Sequence, residues 1–199
     1  MSAMSTWISK AVLFSLLLSG CVMPDGTGGT QASNGGAERQ VLLFADINLA
    51  GPAGYCPLPD TQRLLDDASF VAFAPCNGKL GAVLAATVGS DGSAAGIALK
   101  SSTLEPYFNT EEGKAALRGE GSRDGISVHE VSDYKEAVVL RLTRVAQNKQ
   151  SDSWRALMQI NGRLVTLSVR PRQGMTMSTA TGSRMVSRFV DAMRKANGQ

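Results

Sequence analysis

The feature that most constrains the fold of this chain is the run Trp154–Ile160, then Asn161-Gly162, then Arg163–Arg170. Both central residues of a type I′ turn need positive φ, which asparagine and glycine reach at least cost, so the pattern predicts an antiparallel hairpin. In the return run Val165, Leu167 and Val169 alternate with Leu164, Thr166 and Ser168. A strand repeats its facing every two residues, so Val165, Leu167 and Val169 are expected to face the core. Upstream, Ala137–Val145 alternates apolar and polar after Leu140, and Ile126–Val131 is a further candidate strand. Earlier still, Val41–Asp46 reads as a first strand, and Gly51-Pro52-Ala53-Gly54 turns the chain. Ser69–Ala74 and Gly81–Val88 read as two more strands, joined by Asn77-Gly78.

Helical signals are fewer. Asp60 is placed to cap a short helix through Asp67, and Thr110 with Glu111 and Glu112 to start another that Gly119 stops. A longer amphipathic helix is expected from Ala180 to Ala196. Val186, Phe189, Val190 and Met193 form its apolar stripe, while Arg184, Arg188 and Lys195 share another side. Arg194 and Lys195 complement its carboxyl end, and Gly198 follows as a stop. Strands followed by one long helix predict an α+β fold, an antiparallel sheet packed against a C-terminal amphipathic helix with one or two further short helices. Over residues 137–196 this order resembles the end of Mog1/PsbP-type proteins, a likeness of topology that carries no functional motif. The segments "SFVAFAPC", "WRALMQINGRLVTLSV" and "RFVDAMRKAN" also resemble uncharacterised alphaproteobacterial envelope proteins, a likeness that implies no activity.

The amino terminus reads as a secretory signal over residues 1–20. Lys10 and the terminal amine precede the apolar run Ala11–Leu18. As a helix that run spans roughly 12 Å, far short of the ~30 Å hydrocarbon core of a bilayer. Leu18-Ser19-Gly20-Cys21 resembles the lipobox of bacterial lipoproteins. The resemblance implies a diacylglycerol thioether on Cys21, cleavage before it, and acylation of the new amine. Several acyl chains, at about 0.8 kcal/mol per buried CH₂, suffice for stable membrane anchoring. Val22, where an aspartate would favour inner-membrane retention, points toward the outer membrane. Residues 21–39 then comprise the lipidated cysteine and a flexible tether rich in Gly, Ser, Thr and Asn, and residues 40–199 a single domain. With Cys21 lipidated, Cys56 and Cys76 are an even pair in a compartment that permits disulfides, and a Cys56–Cys76 bridge is expected, two buried free thiols being the alternative.

Charge is unevenly spread. Val22–Leu140 holds eight Lys/Arg against fifteen Asp/Glu, whereas Arg141–Gln199 holds eleven against two. Arg170, Arg172, Arg184 and Arg188 make a candidate surface for an anionic envelope polymer or lipid, the alternative being an ordinary solvated face. Nucleic acid is not an expected partner for a protein outside the cytoplasm.

Catalytic signatures are weak. His129 is the single histidine, and a Ser/His/Asp arrangement with Asp133 lacks a nucleophile elbow, so a solvent-facing or locally bonded histidine is the simpler reading. One histidine and two bridged cysteines leave no zinc set, and Asp91 is too few ligands for calcium in its glycine-rich loop. No cofactor or catalytic residue is assigned. The expected role is a non-enzymatic binding or scaffold module on a lipid anchor, with an envelope protein or polymer as partner. The alternative is an envelope-polymer hydrolase or transferase using carboxylates such as Glu111 and Glu112, or Glu120 with Asp124.

Overall fold

The computed structural model describes residues 41–44, 46–64, 68–79, 81–118, 122–146 and 149–199. The signal, Cys21 and the tether, together with Gly119 and Glu120, lie outside them. In chain order the elements are β1 (Val41–Phe44), β2 (Ile47–Ala50), β3 (Tyr55–Leu64), β4 (Ala68–Pro75) and β5 (Val83–Gly89). There follow α1 (Ser101–Phe108), α2 (Glu111–Arg118), β6 (Gly125–Tyr134), β7 (Ala137–Ala146), β8 (Lys149–Ile160), β9 (Arg163–Arg170) and α3 (Thr179–Ala196).

Among the described residues β3 to β9 build one seven-stranded antiparallel sheet in the order β3-β4-β5-β9-β8-β7-β6, and β1 pairs with β2 separately. The fold is α+β, with the C-terminal helix against the sheet as the sequence predicts. The β8–β9 hairpin turns at Asn161 and Gly162, whose φ values of 49° and 76° are those a type I′ turn requires. Val165, Leu167 and Val169 are buried under α3 with Val186, Phe189, Val190 and Met193. Ser178 caps that helix by accepting a hydrogen bond from the Thr181 amide at 3.3 Å.

The α3 side holds the larger core. Trp154 is fully buried, and α3 meets its indole at Gly182, where any Cβ would stand 2.2–2.4 Å from three ring carbons. Helix and sheet therefore approach at a point only glycine permits. Phe73 and Phe189 stack edge to face at 5.2 Å. The β1–β2 hairpin extends the same layer. Asn197 clasps it, accepting from the Asn48 amide at 2.9 Å and donating to the Asn48 carbonyl at 3.0 Å.

On the opposite face α1 and α2 cover only the β6–β7 end. Phe108 and Leu117 pack there against Ile126, Val138, Leu140 and Leu142. The rest of this face carries no helix among the described residues.

Several local expectations are corrected. The segment from Asp60 is not helical: β3 runs through Leu64, paired with β4, with an irregular register between Leu58 and Arg63. Thr61 Oγ1 accepts from the Ala72 amide at 2.8 Å, so a cross-strand bond takes up the turn-forming residues instead of a helix cap. Asn77-Gly78 does turn the chain, with the Gly78 amide donating to the Pro75 carbonyl at 3.1 Å, but seven residues separate β4 from β5, so it is not a two-residue hairpin. β2 and α1 are elements the sequence pattern does not announce.

Candidate functional site

Alternation along β9 and β8 decides what the uncovered face displays. Because Val165, Leu167, Val169, Trp154 and Ala156 point to α3, the residues between them point away. Ser168 lies directly opposite Arg155, and Ala85 opposite Ser168. Ser151 and Ser153 continue β8, facing Arg144 and Leu142 of β7. The result is a cavity of about 200 Å³ floored by sheet, into which Arg144, Arg155 and Arg170 converge from three neighbouring strands. Serines at 151, 153 and 168 supply hydroxyls, and Phe70 and Ile126 close the sides.

The three guanidinium groups are held differently. Arg144 is fixed: its Nη2 donates to the Arg118 carbonyl at 2.7 Å, and its Nε lies 3.4 Å from an Asp124 carboxylate oxygen. Arg170 ends β9 and is exposed. Arg155 sits between them, half-buried. Among the described residues, no ion pair involves Arg155 or Arg170. Loss of solvent, and then the like charges of Arg144 and Arg170, push the Arg155 pKa down to about 10. Arginine so placed still carries its charge at any working pH, so the cost is borne as electrostatic strain.

Arg170 also borders a wider recess of about 1010 Å³ that continues past Ser151, with Lys149, Arg172, Gln150, Gln173 and Met175 on its walls. Arg170 and Arg172 of the sequence-level surface are thus brought together. Arg184 and Arg188 are not: they are exposed on α3, across the sheet from Arg170. The four do not form one patch, because α3 and the tip of β9 present their polar residues to opposite sides. Arg144, Arg155 and Lys149 join the basic region instead, and nothing in local periodicity marks them out.

Of the residues weighed for catalysis, His129, Asp133, Glu111 and Asp124 are engaged elsewhere. Asp133 accepts from the Ser101 amide at 2.8 Å and from Ser101 Oγ at 2.7 Å, capping α1, and those bonds hold its pKa below the usual carboxylate value. His129 Nε2 lies 2.8 Å from Thr143 Oγ1, which donates to Asp152 at 2.6 Å. A nucleophilic triad needs the base between hydroxyl and carboxylate; here the hydroxyl is in the middle and its proton is directed to Asp152. Glu111 pairs with Lys114 at 2.9 Å, and Asp124 with Arg144. A smaller cavity of about 120 Å³ beside α3 contains Glu130 and Asp133, with Arg141 Nε and Trp154 Nε1 buried there without a protein acceptor. Asp46, Glu111 and Asp133 have their carboxyl pKa held low by their hydrogen-bond partners, opposite to what a general acid requires. Among the described residues no group of three or more His, Cys, Asp or Glu side chains is gathered as a metal site would be.

Cys56 and Cys76 are joined as a disulfide linking β3 to the end of β4. No described helix is long and apolar enough to cross a membrane.

Fold and site together define an α+β domain with a helix-covered face and an open, basic sheet face. No family model matches the chain, and no curated protein matches it in sequence. Among solved structures, a Pseudomonas aeruginosa protein of unknown function aligns at 12% identity over 68% of this chain and 83% of that one, with a TM-score of 0.36. A likeness that weak transfers neither fold nor function.

Proposed function

We propose that this chain is a lipid-anchored lipoprotein of the bacterial cell envelope, its domain a non-enzymatic binding module for an anionic envelope component. The anchor reading rests on Leu18-Ser19-Gly20-Cys21 at the end of a short apolar run, with a polar tether after it. Val22 favours the outer membrane, periplasmic face. The binding reading rests on one observation: three arginines converge on a sheet cavity where, among the described residues, the one acid paired with any of them is Asp124, on Arg144. A half-buried cation without a counterion is unfavourable, and an incoming anion relieves that cost.

Two measurements test the two parts. Cys21→Ser should abolish metabolic fatty-acid labelling and release the protein from membranes; unchanged labelling refutes the anchor. For binding, the full chain in detergent should be retained on immobilised dextran sulfate at low salt and released as salt rises. The double variant Arg155→Gln/Arg170→Gln should elute earlier than Arg184→Gln/Arg188→Gln, which removes the same charge from the other side of the sheet. Equal elution of the two would place binding in net charge and refute the cavity.

A further inference from the structure

We propose that the cavity formed by Arg144, Arg155 and Arg170 receives a phosphate monoester carried on a polar, sugar-like body that lies in the adjoining recess. This deepens the binding role proposed above and rests on it.

Charge selects the class of anion. Among the described residues, three guanidinium groups and the Asp124 carboxylate give the cavity a formal charge of +2. A phosphate monoester carries about −1.5 to −2 near neutral pH and balances it. A carboxylate or a phosphodiester carries one charge and leaves a cation uncompensated.

Donor geometry selects in the same direction. A carboxylate is planar, and a single arginine fork satisfies both of its oxygens. Here the guanidinium groups come from β7, β8 and β9, and hydroxyls of Ser151, Ser153 and Ser168 stand between them. Donors drawn from three strands are not confined to one fork and suit the three free oxygens of a tetrahedral group. Arg144, tied to the Arg118 carbonyl and to Asp124, is already oriented, so less freedom is lost on binding.

The recess describes the carrier. It meets the cavity at Ser151 and Arg170, and its walls mix Lys149, Gln150, Arg172 and Gln173 with Val83 and Met175. Amide and ammonium donors beside a mostly apolar lining suit a ring with hydroxyls on its edge and C–H groups on its face. The inner cavity, about 200 Å³, has room for a phosphate group and opens directly onto the recess.

Isothermal titration of the full chain in detergent, in low-salt phosphate-free buffer, tests this with glucose 1-phosphate, glycerol 3-phosphate, inorganic phosphate and glucuronate. Glucose 1-phosphate should bind tightest and glucuronate at least about tenfold more weakly, a margin set by the lost charged hydrogen bonds. Glycerol 3-phosphate binding as tightly as glucose 1-phosphate would assign the phosphate to a lipid-type headgroup and overturn the sugar carrier. Arg155→Gln should weaken glucose 1-phosphate at least about tenfold, and the exposed-site variant Arg170→Gln should weaken it too. Arg184→Gln/Arg188→Gln should leave it unchanged. Glucuronate binding as tightly as the phosphates, or phosphate binding indifferent to both Arg155 and Arg170, overturns the inference. If no phosphate binds while dextran sulfate retention still depends on Arg155, the ligand class falls and the binding module stands. If that retention is also indifferent to Arg155, both fall.

Discussion

Gly182→Ala probes the contact that seats α3 on the sheet. Judged by helix propensity alone, the change should stabilise the protein by about 1 kcal/mol, since glycine in a helix interior is the poorer residue. The structure reverses the sign. The new methyl carbon would lie 2.2–2.4 Å from three carbons of the Trp154 ring, at least 1 Å inside ordinary contact. Trp154 is fully buried and rigid, so the helix must lift, loosening Val186, Phe189, Val190 and Met193 together. Overpacking of a close-packed core costs typically 1–3 kcal/mol, and the displaced helix puts this site at the upper end of that range. After the propensity gain we expect a net loss of about 2 kcal/mol, or a fall in Tm of about 4–8 °C. Urea unfolding followed by circular dichroism reads the first quantity and a thermal melt the second. A variant as stable as the parent, or more so, would show that the helix does not meet Trp154 at Gly182.

Further consequences follow from the same contacts. Arg155→Met should stabilise the ligand-free protein in low salt. Its depressed pKa corresponds to at most about 3 kcal/mol, and solvent at the open cavity reduces this to about 1 kcal/mol. The sign follows because a cation whose folded pKa is lowered penalises the folded state at every pH below about 10; a melt showing a loss above about 2 kcal/mol would mean that Arg155 has a structural partner. Reducing Cys56–Cys76, whose partners are 20 residues apart, should cost about 3 kcal/mol by the loop-entropy relation, seen as a lower Tm with reductant, and an unchanged Tm would refute it. Asp46 has its pKa held below 3.8, chiefly by its hydrogen bond from Arg163 at 3.0 Å. Its contribution is present above pH 3.8 and lost as pH falls through the lowered value, so Asp46→Asn should flatten the acid limb of the stability profile; an unchanged limb would show that this pair is not linked to folding.

The elements legible in the sequence are those whose signals are local. Asn161-Gly162 specifies its own turn, and the alternation after it assigns Val165, Leu167 and Val169 to the core without reference to anything distant. The spacing of Val186, Phe189, Val190 and Met193 does the same for α3. α1 escapes this reading for a specific reason. Lys100 provides no side-chain cap, Pro106 inside the helix reads in sequence as a breaker, and the cap comes from Asp133 on β6, 32 residues beyond Ser101. The helix proposed at Asp60 fails in the converse way, since its local start signal yields to pairing with β4.

By itself, then, the sequence determined an α+β domain, a basic carboxy-terminal third and the faces of its strongest strand and helix. Tertiary structure alone decided which arginines meet. Arg144, Arg155 and Arg170 belong to three strands, and only the registers that set Arg155 beside Ser168 and Ser151 beside Arg144 carry them to one cavity. Charge composition adds up along the chain, but a binding site depends on which faces the helices leave uncovered. α3 takes one side of this sheet, α1 and α2 take the β6–β7 end of the other, and the basic strands are what remains.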